Sequence, residues 1–325
     1  MLLLSETDVR HLLSMDDLIH SMETTLAEFS SGRTEQPLRT VLNVGAGDAF
    51  FGVMPAFMPA IGALGTKLVT VFGSNAALGL PSHLATILLM DSTTGELLSV
   101  MDGRYITEAR TAAVSAVSAR LLAREDAGVL GILGSGVQAR SHLRAFLHVR
   151  ALKDVRVWSP SEAHRRAFAD EMHRETAAPI RAVKSAKAAV DGADLVVVAT
   201  AAREPVLNSD WVADGAHIAA VGACRPDQRE VDTALIRRAR VFVDSRTGAL
   251  SEAGDLMLPI HEGAIDATHI AGELGQLAAG TVAGRQTPAD VTLFKSLGMA
   301  VEDVAAAHLA YQRATERGLG RGIPW

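Results

Sequence analysis

The sequence predicts an α/β protein built from two different kinds of sheet. Three observations carry this. Over residues 129–244 short apolar runs alternate with helical stretches, the pattern of a parallel sheet covered on both faces. Over residues 34–103 strand-like runs follow one another with no crossover helix between them, so that region forms an antiparallel or mixed sheet. Between the two lies GVLGILGSGVQAR, residues 128–140, where a buried strand turns into a helix through Gly134-Ser135-Gly136-Val137-Gln138-Ala139. Gly134 permits the tight turn, Gly136 lets backbone approach a pyrophosphate, and Ala139 lets the helix pack close to the strand. The helix N-terminus adds unpaired N–H groups and the positive end of a dipole. A dinucleotide is the ligand this turn is expected to hold.

Each element follows from local pattern. Ser5-Glu6-Thr7-Asp8 has the spacing of a helix cap. Ser14 starts a second helix that runs to about Phe29, with Leu18, Met22, Leu26 and Phe29 on one face. Ser30-Ser31-Gly32 ends it. The runs 40–44, 50–55, 64–72, 85–90 and 97–101 are β-rich and separated by glycine, proline or asparagine. Three charged residues stand out in this region: Arg39 beside a strand start, Lys67 inside GALGTKLVTVF, and Arg104 after a turn. Lys67 either lies on an exposed edge or reaches an anion in a pocket. Residues 106–124 form one helix with a small-residue face of Ala112, Ala113, Ala116 and Ala119. Arg110 lies near its start, where a cation opposes the helix dipole, so it needs an anionic partner, either a side chain or a ligand.

Further strands are predicted at 129–132, 155–158, 180–183, 194–200, 217–222 and 240–244, with helices at 161–175 and 185–190. Right-handed crossovers place a ligand at the carboxyl ends of such strands. A short run at 291–294 precedes a long helix over 297–317, which is expected to return to the first domain. The glycine-rich tail 318–325 is expected to be loose.

The 325 residues, 48% of them hydrophobic, allow two domains with full cores. A net charge of −6, with no basic run interleaved with aromatics, speaks against a nucleic-acid partner. The single cysteine, Cys224, excludes an intrachain disulfide and fits a reducing compartment. The start MLLLSETDVR lacks a basic n-region, and no apolar run reaches membrane-spanning length. A cytoplasmic protein with no membrane partner is expected. His11, His83, His217 and the pair Glu302-Asp303 show no metal-ligand spacing, so no catalytic metal is expected. The carboxylate pair reads as structural, and His83 is open between a pocket role and a structural one.

An acidic residue at the end of the second strand would hold the ribose hydroxyls of NAD. Asp154 has the right count from Gly134 but precedes the strand, and the far end carries Ser159-Pro160-Ser161. No carboxylate there repels a 2′-phosphate, and Arg165 and Arg166 follow, so NADPH is the preferred cofactor with NADH possible. The alternative is that both arginines are a solvated helix face.

Several motifs together resemble the ornithine cyclodeaminase/mu-crystallin family over residues 15–314. They are MPA (54–56), LGTK (64–67), LPSH (80–83), RTAAVSA (110–116), GILGSGVQA, VGACRPDQREVD (221–232), EAGD (252–255) and FKSLGMAVED (294–303). The resemblance implies a Rossmann-type dinucleotide-binding domain, residues 118–295, inserted in a discontinuous α+β substrate and dimerisation domain made of residues 1–117 and a C-terminal helix within 296–325. A homodimer is implied as well. Arg39, Lys67 and Arg110 are implied to bind the carboxylate of an amino or imino acid, with Ser296 beside the substrate or nicotinamide. Lys67 and Glu252 are the catalytic candidates, the first to stabilise or supply the imine proton, the second to hold the iminium. Cofactor contacts are expected from Thr111, from Gly134, Ser135, Gly136, Val137, Gln138 and Ala139, and from Ser159, Ser161, Arg165, Thr200 and Ser296.

One departure narrows the activity. The cyclodeaminase branch has an aspartate where alignment of Pro226 and Glu230 puts Cys224. A thiol does not bind an ammonium as a carboxylate does. The expected activity is therefore that of the ketimine-reductase branch: NAD(P)H-dependent reduction of small cyclic ketimine carboxylates, such as Δ1-pyrroline-2-carboxylate to L-proline or Δ1-piperideine-2-carboxylate to L-pipecolate. An ornithine cyclodeaminase-type lyase or an amino-acid dehydrogenase on the same scaffold is the alternative. A non-catalytic, cofactor-binding crystallin-like protein is a second. Cys224 itself is expected to be a small buried filler rather than a reactive thiol.

Overall fold

The computed structural model describes residues 1–45 and 49–324. The chain divides into two compact units, Met1–Arg110 with Gly298–Trp325, and Thr111–Leu297.

The first unit opens with strand β1 (Leu2–Leu4) and helix α1 (Glu6–Leu12). The cap is reciprocal, as its spacing predicts: the Asp8 N–H donates to Ser5 Oγ and the Ser5 N–H donates to the Asp8 carboxylate. Ser14 caps α2 (Met15–Ser30), which buries Leu18, Met22 and Leu26. Strands β2 (Thr40–Asn43), β3 (Phe50–Met58), β4 (Ala63–Val71), β5 (His83–Asp91) and β6 (Leu97–Asp102) form an antiparallel meander, as the lack of crossover helices predicts. β1 pairs parallel to β6, a placement that three leucines without alternation did not signal. Helix α3 (Arg104–Leu122) follows. The Arg104 guanidinium at its start pairs with Glu6, which accounts for that cation.

Lys67 thus stands on a central strand, with Met54 of β3 and Ile87 of β5 opposite it, and not on an edge. Along β4 the residues Ala63, Gly65, Lys67 and Val69 are buried, while Leu64, Thr66, Leu68 and Thr70 are partly exposed. The strand's period of two separates an inner face from an outer one.

In the second unit eight strands form one parallel sheet. They are β7 (Val129–Leu133), β8 (Asp154–Trp158), β9 (Ile180–Ala182), β10 (Leu195–Val198), β11 (His217–Ala220), β12 (Arg240–Val243), β13 (Ile270–Glu273) and β14 (Thr292–Lys295). Their order is β13-β12-β14-β11-β10-β7-β8-β9. The helices between them are α4 (Val137–Leu147), α5 (Glu162–Thr176), α6 (Ala186–Val190), α7 (Thr233–Arg238), α8 (Arg246–Glu252), α9 (Gly254–His261) and α10 (Leu274–Ala278). This is a Rossmann-type sheet. Strand order reverses between β7 and β10, so the crevice at their carboxyl ends is the ligand position. Helices α7 to α10 are too short to show a helical period, and the sequence did not announce them. His217 is fully buried between the hydroxyls of Ser118 and Thr292, a structural histidine.

The chain then returns to the first unit as α11 (Ala300–Arg317), packed on β3, β4, β5 and α2. The helix begins three residues later than predicted, because Gly298 takes a left-handed φ of +80°. The tail corrects a second expectation. Residues Arg321–Gly322 form β15, antiparallel to β1, so the tail is tied to the sheet rather than loose, and Trp325 lies outside the described residues. Among the described residues no helix is long and apolar enough to cross a membrane.

Candidate active site

The inner face of the first unit's sheet carries a buried ionic cluster. Lys67 Nζ pairs with Asp303. Arg110 Nε donates to Asp303 Oδ1 at 2.8 Å, and its Nη1 donates to Glu302 Oε2 at 2.7 Å. Arg39 Nη2 donates to the Gly298 carbonyl at 2.9 Å. Lys67 is 2% and Arg110 3% exposed, and both carboxylates are fully buried. Charges so deep in an apolar layer are tolerable only when paired and hydrogen-bonded.

Three elements converge to build the cluster. β4 supplies Lys67 on its inward period, and α3 supplies Arg110 from its second turn. Glu302 and Asp303 stand in the first turn of α11, where the helix dipole favours carboxylates. Gly298 is required by contact as well as by φ: a Cβ there would lie 2.3 Å from Arg110 Nη1. The anionic partner expected for Arg110 is therefore a pair of side chains. Their role was missed because neighbours in sequence do not face each other on a helix, and Asp303 meets Arg110 across 193 residues.

The electrostatics follow from burial. Desolvation lowers the Lys67 ammonium to a pKa of about 8; Asp303 opposes the shift, and Arg110 and Arg39 add to it. Burial works to raise Asp303, but Arg110 and Lys67 hold it below the usual carboxylate range. His83 starts β5 opposite Val71, in the same inward row as Lys67 and Val69. Burial first, then the charge of Lys67, pushes it down to about 4, so it is neutral beside the cluster.

The second unit carries the glycine turn. Gly134 has φ +112°, and a Cβ on it would lie 2.2 Å from the Ala199 carbonyl, so β7 and β10 approach as the crevice demands. A Cβ on Gly136 would meet nothing within 4 Å, and no side chain caps α4, whose first N–H groups are left for an anion. Ala139 is fully buried, while Val137 is exposed. This space fits the pyrophosphate of a dinucleotide. Ser135 Oγ donates to Ser159 Oγ at 2.9 Å, which joins the turns after β7 and β8, and Ser161 caps α5.

The two arginines behind these serines differ. Arg165 is buried, and its Nη1 donates to the Ser159 carbonyl at 3.0 Å. Arg166 is exposed and pairs with Glu162, as a solvated helix face would. Asp154 sits at the opposite end of β8, paired with Arg156 and Arg181.

Thr200 follows β10, and its N–H and Oγ1 both donate to Glu230 at 2.7 Å. Glu230 also accepts from the Gly222 and Ala223 N–H groups beyond β11, at 2.6 and 3.0 Å. Burial pushes its carboxyl up to about 7. The Glu230 N–H donates to Asp255, which pairs with Lys295 Nζ at 2.9 Å; both are fully buried. Burial alone would lower the Lys295 ammonium, but Asp255, Cys224 and Glu230 outweigh it and raise it. This network escaped the sequence reading, although a lysine closing the apolar run VTLFK was a signal for it.

Ser296 is buried beside it, its N–H donating to the Ala220 carbonyl at 3.0 Å. Thr111 is buried in α3, and Glu252 ends α8 partly exposed. Cys224 corrects an expectation: it is exposed, not a buried filler. β11 stops at Ala220, so Cys224 lies in the loop beyond the strand and outside the core, with its Sγ donating to the Val221 carbonyl at 3.4 Å.

Comparison with known proteins places this arrangement. The sequence model of the ornithine cyclodeaminase/mu-crystallin family matches residues 1–318. The chain is 44% identical over 304 residues to ketimine reductase mu-crystallin of Mus musculus, with 93% of each chain covered. It superposes with a TM-score of 0.97 on Thermococcus litoralis Δ1-pyrroline-2-carboxylate reductase in complex with NADH and L-proline, at 41% identity over 99% of this chain and 100% of that one. An archaeal alanine dehydrogenase dimer with bound NAD gives a TM-score of 0.95 at 29% identity, over 100% of this chain and 99% of that one. With the family's sequence pattern running through both units, the chain belongs to the ornithine cyclodeaminase/mu-crystallin family.

Proposed function

We propose that the protein is an NAD(P)H-dependent reductase of small cyclic ketimine carboxylates, with Δ1-pyrroline-2-carboxylate to L-proline and Δ1-piperideine-2-carboxylate to L-pipecolate as its reactions. The observation that carries the reading is the buried pair Lys67 and Arg110, with the partly exposed Arg39 bonded to Gly298 near them, in an otherwise apolar sheet face. Relatives that reduce ketimines or pyrroline-2-carboxylate support the same reading. Arg39, Lys67 and Arg110 bind the substrate carboxylate, and charge-assisted bonds fix its orientation.

Lys67 supplies the proton of the imine nitrogen. Its lowered pKa leaves it charged at neutral pH yet a better acid than an exposed lysine. A protonated imine carbon is the stronger electrophile. A reduced nicotinamide, when bound, would supply the hydride for that carbon. Thr111, the turn Gly134 to Ala139, Ser159, Ser161 and Thr200 hold the dinucleotide. Ser296 orients the substrate or nicotinamide, and Glu252 holds the iminium. Positioning then accounts for much of the rate.

NADPH is preferred and NADH accepted, a reading supported by the acid-free strand end and by Arg165 held against Ser159. The protein works as a homodimer, and a chain with one cysteine fits the cytoplasm.

The test is an assay of purified protein with pyrroline-2-carboxylate and piperideine-2-carboxylate, each with NADPH and NADH. Cofactor oxidation with at least one imine is expected. Silence with both, together with ammonia release from ornithine or amination of pyruvate, would overturn the reading in favour of a cyclodeaminase or an amino-acid dehydrogenase.

A further inference from the structure

We infer that Glu230 is a positioning residue for the dinucleotide: its buried carboxylate latches the turn after β10 to the turn after β11 beside the glycine turn, and it does so only when ionised. The inference rests on the dinucleotide-binding reading above and adds a proton to it, so that cofactor affinity follows pH.

The backbone of Glu230 is a fixed point. Its N–H donates to Asp255 Oδ1 at 2.7 Å, and its carbonyl accepts from the Val206 and Leu207 N–H groups at 2.8 and 3.0 Å. The side chain gathers two turns from there. Oε1 accepts from the Thr200 N–H and from Thr200 Oγ1, and Oε2 accepts from the Gly222 and Ala223 N–H groups. The two turns are in close contact as well: a Cβ on Gly222 would lie 2.2 Å from the Thr200 carbonyl oxygen and 2.5 Å from Glu230 Oε1. Thr200 in turn belongs to the segment packed on the glycine turn. A Cβ on Gly134 would lie 2.2 Å from the Ala199 carbonyl oxygen and 3.6 Å from Thr200 Cγ2. What holds Thr200 therefore sets the wall against which the dinucleotide turn closes.

Each carboxylate oxygen faces two donors. A proton on either oxygen aims a further hydrogen at them, so a bond to one of the turns must break. Burial disfavours the ionised form most, Lys295 at the end of β14 favours it, Asp255 of α9 disfavours it, and the bonds from Thr200 favour it; the carboxyl titrates at about 7. Cys224, in the loop after β11, acts on Lys295. The chain neighbours of Glu230 are engaged elsewhere: Arg229 pairs with Glu262, and Asp232 accepts from the Ser209 and Leu235 N–H groups. A dinucleotide that needs both turns in place favours the ionised form. Affinity is then full above pH 7 and falls as pH falls through it, and binding in the acid range releases a proton.

The test is calorimetry of NAD⁺ binding to the full-length protein between about pH 6 and about pH 8. NAD⁺ is the probe because the 2′-phosphate of NADP⁺ itself titrates at about 6. The wild type is expected to bind about ten-fold more weakly at the acid end, the effect of one linked proton. Titrations in buffers of different ionisation enthalpy should show close to one proton released at the acid end and close to none at the other. Glu230→Gln keeps the length of the side chain but cannot ionise. Its affinity is expected to be flat across the range and no higher than that of the wild type at the acid end. Thr200→Val removes one donor to the carboxylate and should move the midpoint of the pH curve upward, whereas Thr200→Ser keeps the hydroxyl and should leave it in place. The Thr200 pair and the wild-type proton count read the latch even where Glu230→Gln does not fold.

A wild-type affinity that is flat across this range, or binding at the acid end without proton release, would overturn the inference. So would a Glu230→Gln protein that keeps the wild-type pH dependence, or a Thr200→Val protein with an unmoved midpoint, because a merely structural carboxylate does not tie its proton to the cofactor. The dinucleotide reading fails separately: a wild type that binds neither NAD⁺ nor NADPH at any pH has no cofactor site to position, and the inference falls with it.

Discussion

Lys67 shows what one buried residue costs and does. Its ammonium is nearly solvent-free on the central strand β4 and is held by Asp303. Removing one partner of such a pair strands the other, at a cost of about 3–5 kcal/mol. Lys67→Ala is therefore expected to lower thermal stability and to reduce kcat/KM for the imine by about 10²–10⁴-fold, the range of a lost general acid. In the proposed mechanism the proton is on Lys67 in the free enzyme, so kcat/KM should hold below pH 8 and fall as pH rises through about 8. Asp303 favours the charged ammonium. Asp303→Asn should then move the falling limb to lower pH, which a pH–rate profile reads; a limb that stays in place would remove Lys67 from the acid role. From sequence alone Lys67 was open between an edge and a pocket, because periodicity tells which residues share a face but not which strands flank them. The register with Met54 and Ile87 supplies the missing neighbours.

At the scale of the element, the strand-end turns decide what the second unit binds. The turn after β7 was legible because everything it needs is local: a strand, two glycines, a small residue and a helix. Gly134→Ala puts a carbon 2.2 Å from the Ala199 carbonyl at a φ of +112°, so the turn must open. Loss of dinucleotide affinity of at least about ten-fold is expected by fluorescence titration of NADPH, since a misplaced helix N-terminus no longer meets the phosphates. On the proposed reading, the turn after β8 sets cofactor choice. Arg165→Ala is expected to raise the KM for NADPH about ten-fold and to leave that for NADH nearly unchanged, the worth of one charge-assisted bond to a 2′-phosphate. An equal effect on both cofactors would make Arg165 a support for Ser159 only. The Glu230, Asp255 and Lys295 network was not legible. Its members come from separate segments, and only the parallel sheet brings the loops after β10 and β11 onto one carboxylate.

At the scale of the whole molecule, the outer face of the first unit's sheet bears on assembly. Cross-strand rows of Val53, Leu68 and Thr86, of Pro55, Thr66 and Leu88, and of Phe57, Leu64 and Met90 lie on β3, β4 and β5, with Thr86 exposed and the others partly exposed. Leu84 on the same face is 43% exposed. An antiparallel sheet that faces water alternates apolar inside with polar outside, and here the outside is largely apolar as well. Contiguous apolar surface of this kind marks an interaction site. A second copy of the chain, the homodimer proposed above, is the occupant to test on this face. The pattern was visible in the sequence as apolar runs with few charges, but a run apolar at every position does not say whether its second face meets a helix or another chain. The packing of α11 against β3, β4 and β5 resolves this, because it occupies the inner face only. The double variant Leu68→Glu, Leu88→Glu places two charges in the middle of the outer face while leaving Lys67 and the inner core untouched. Sedimentation is expected to show a wild-type dimer and a monomeric variant with unchanged far-ultraviolet dichroism. A monomeric wild type, or a variant that remains dimeric, would show that this face is not where the subunits meet.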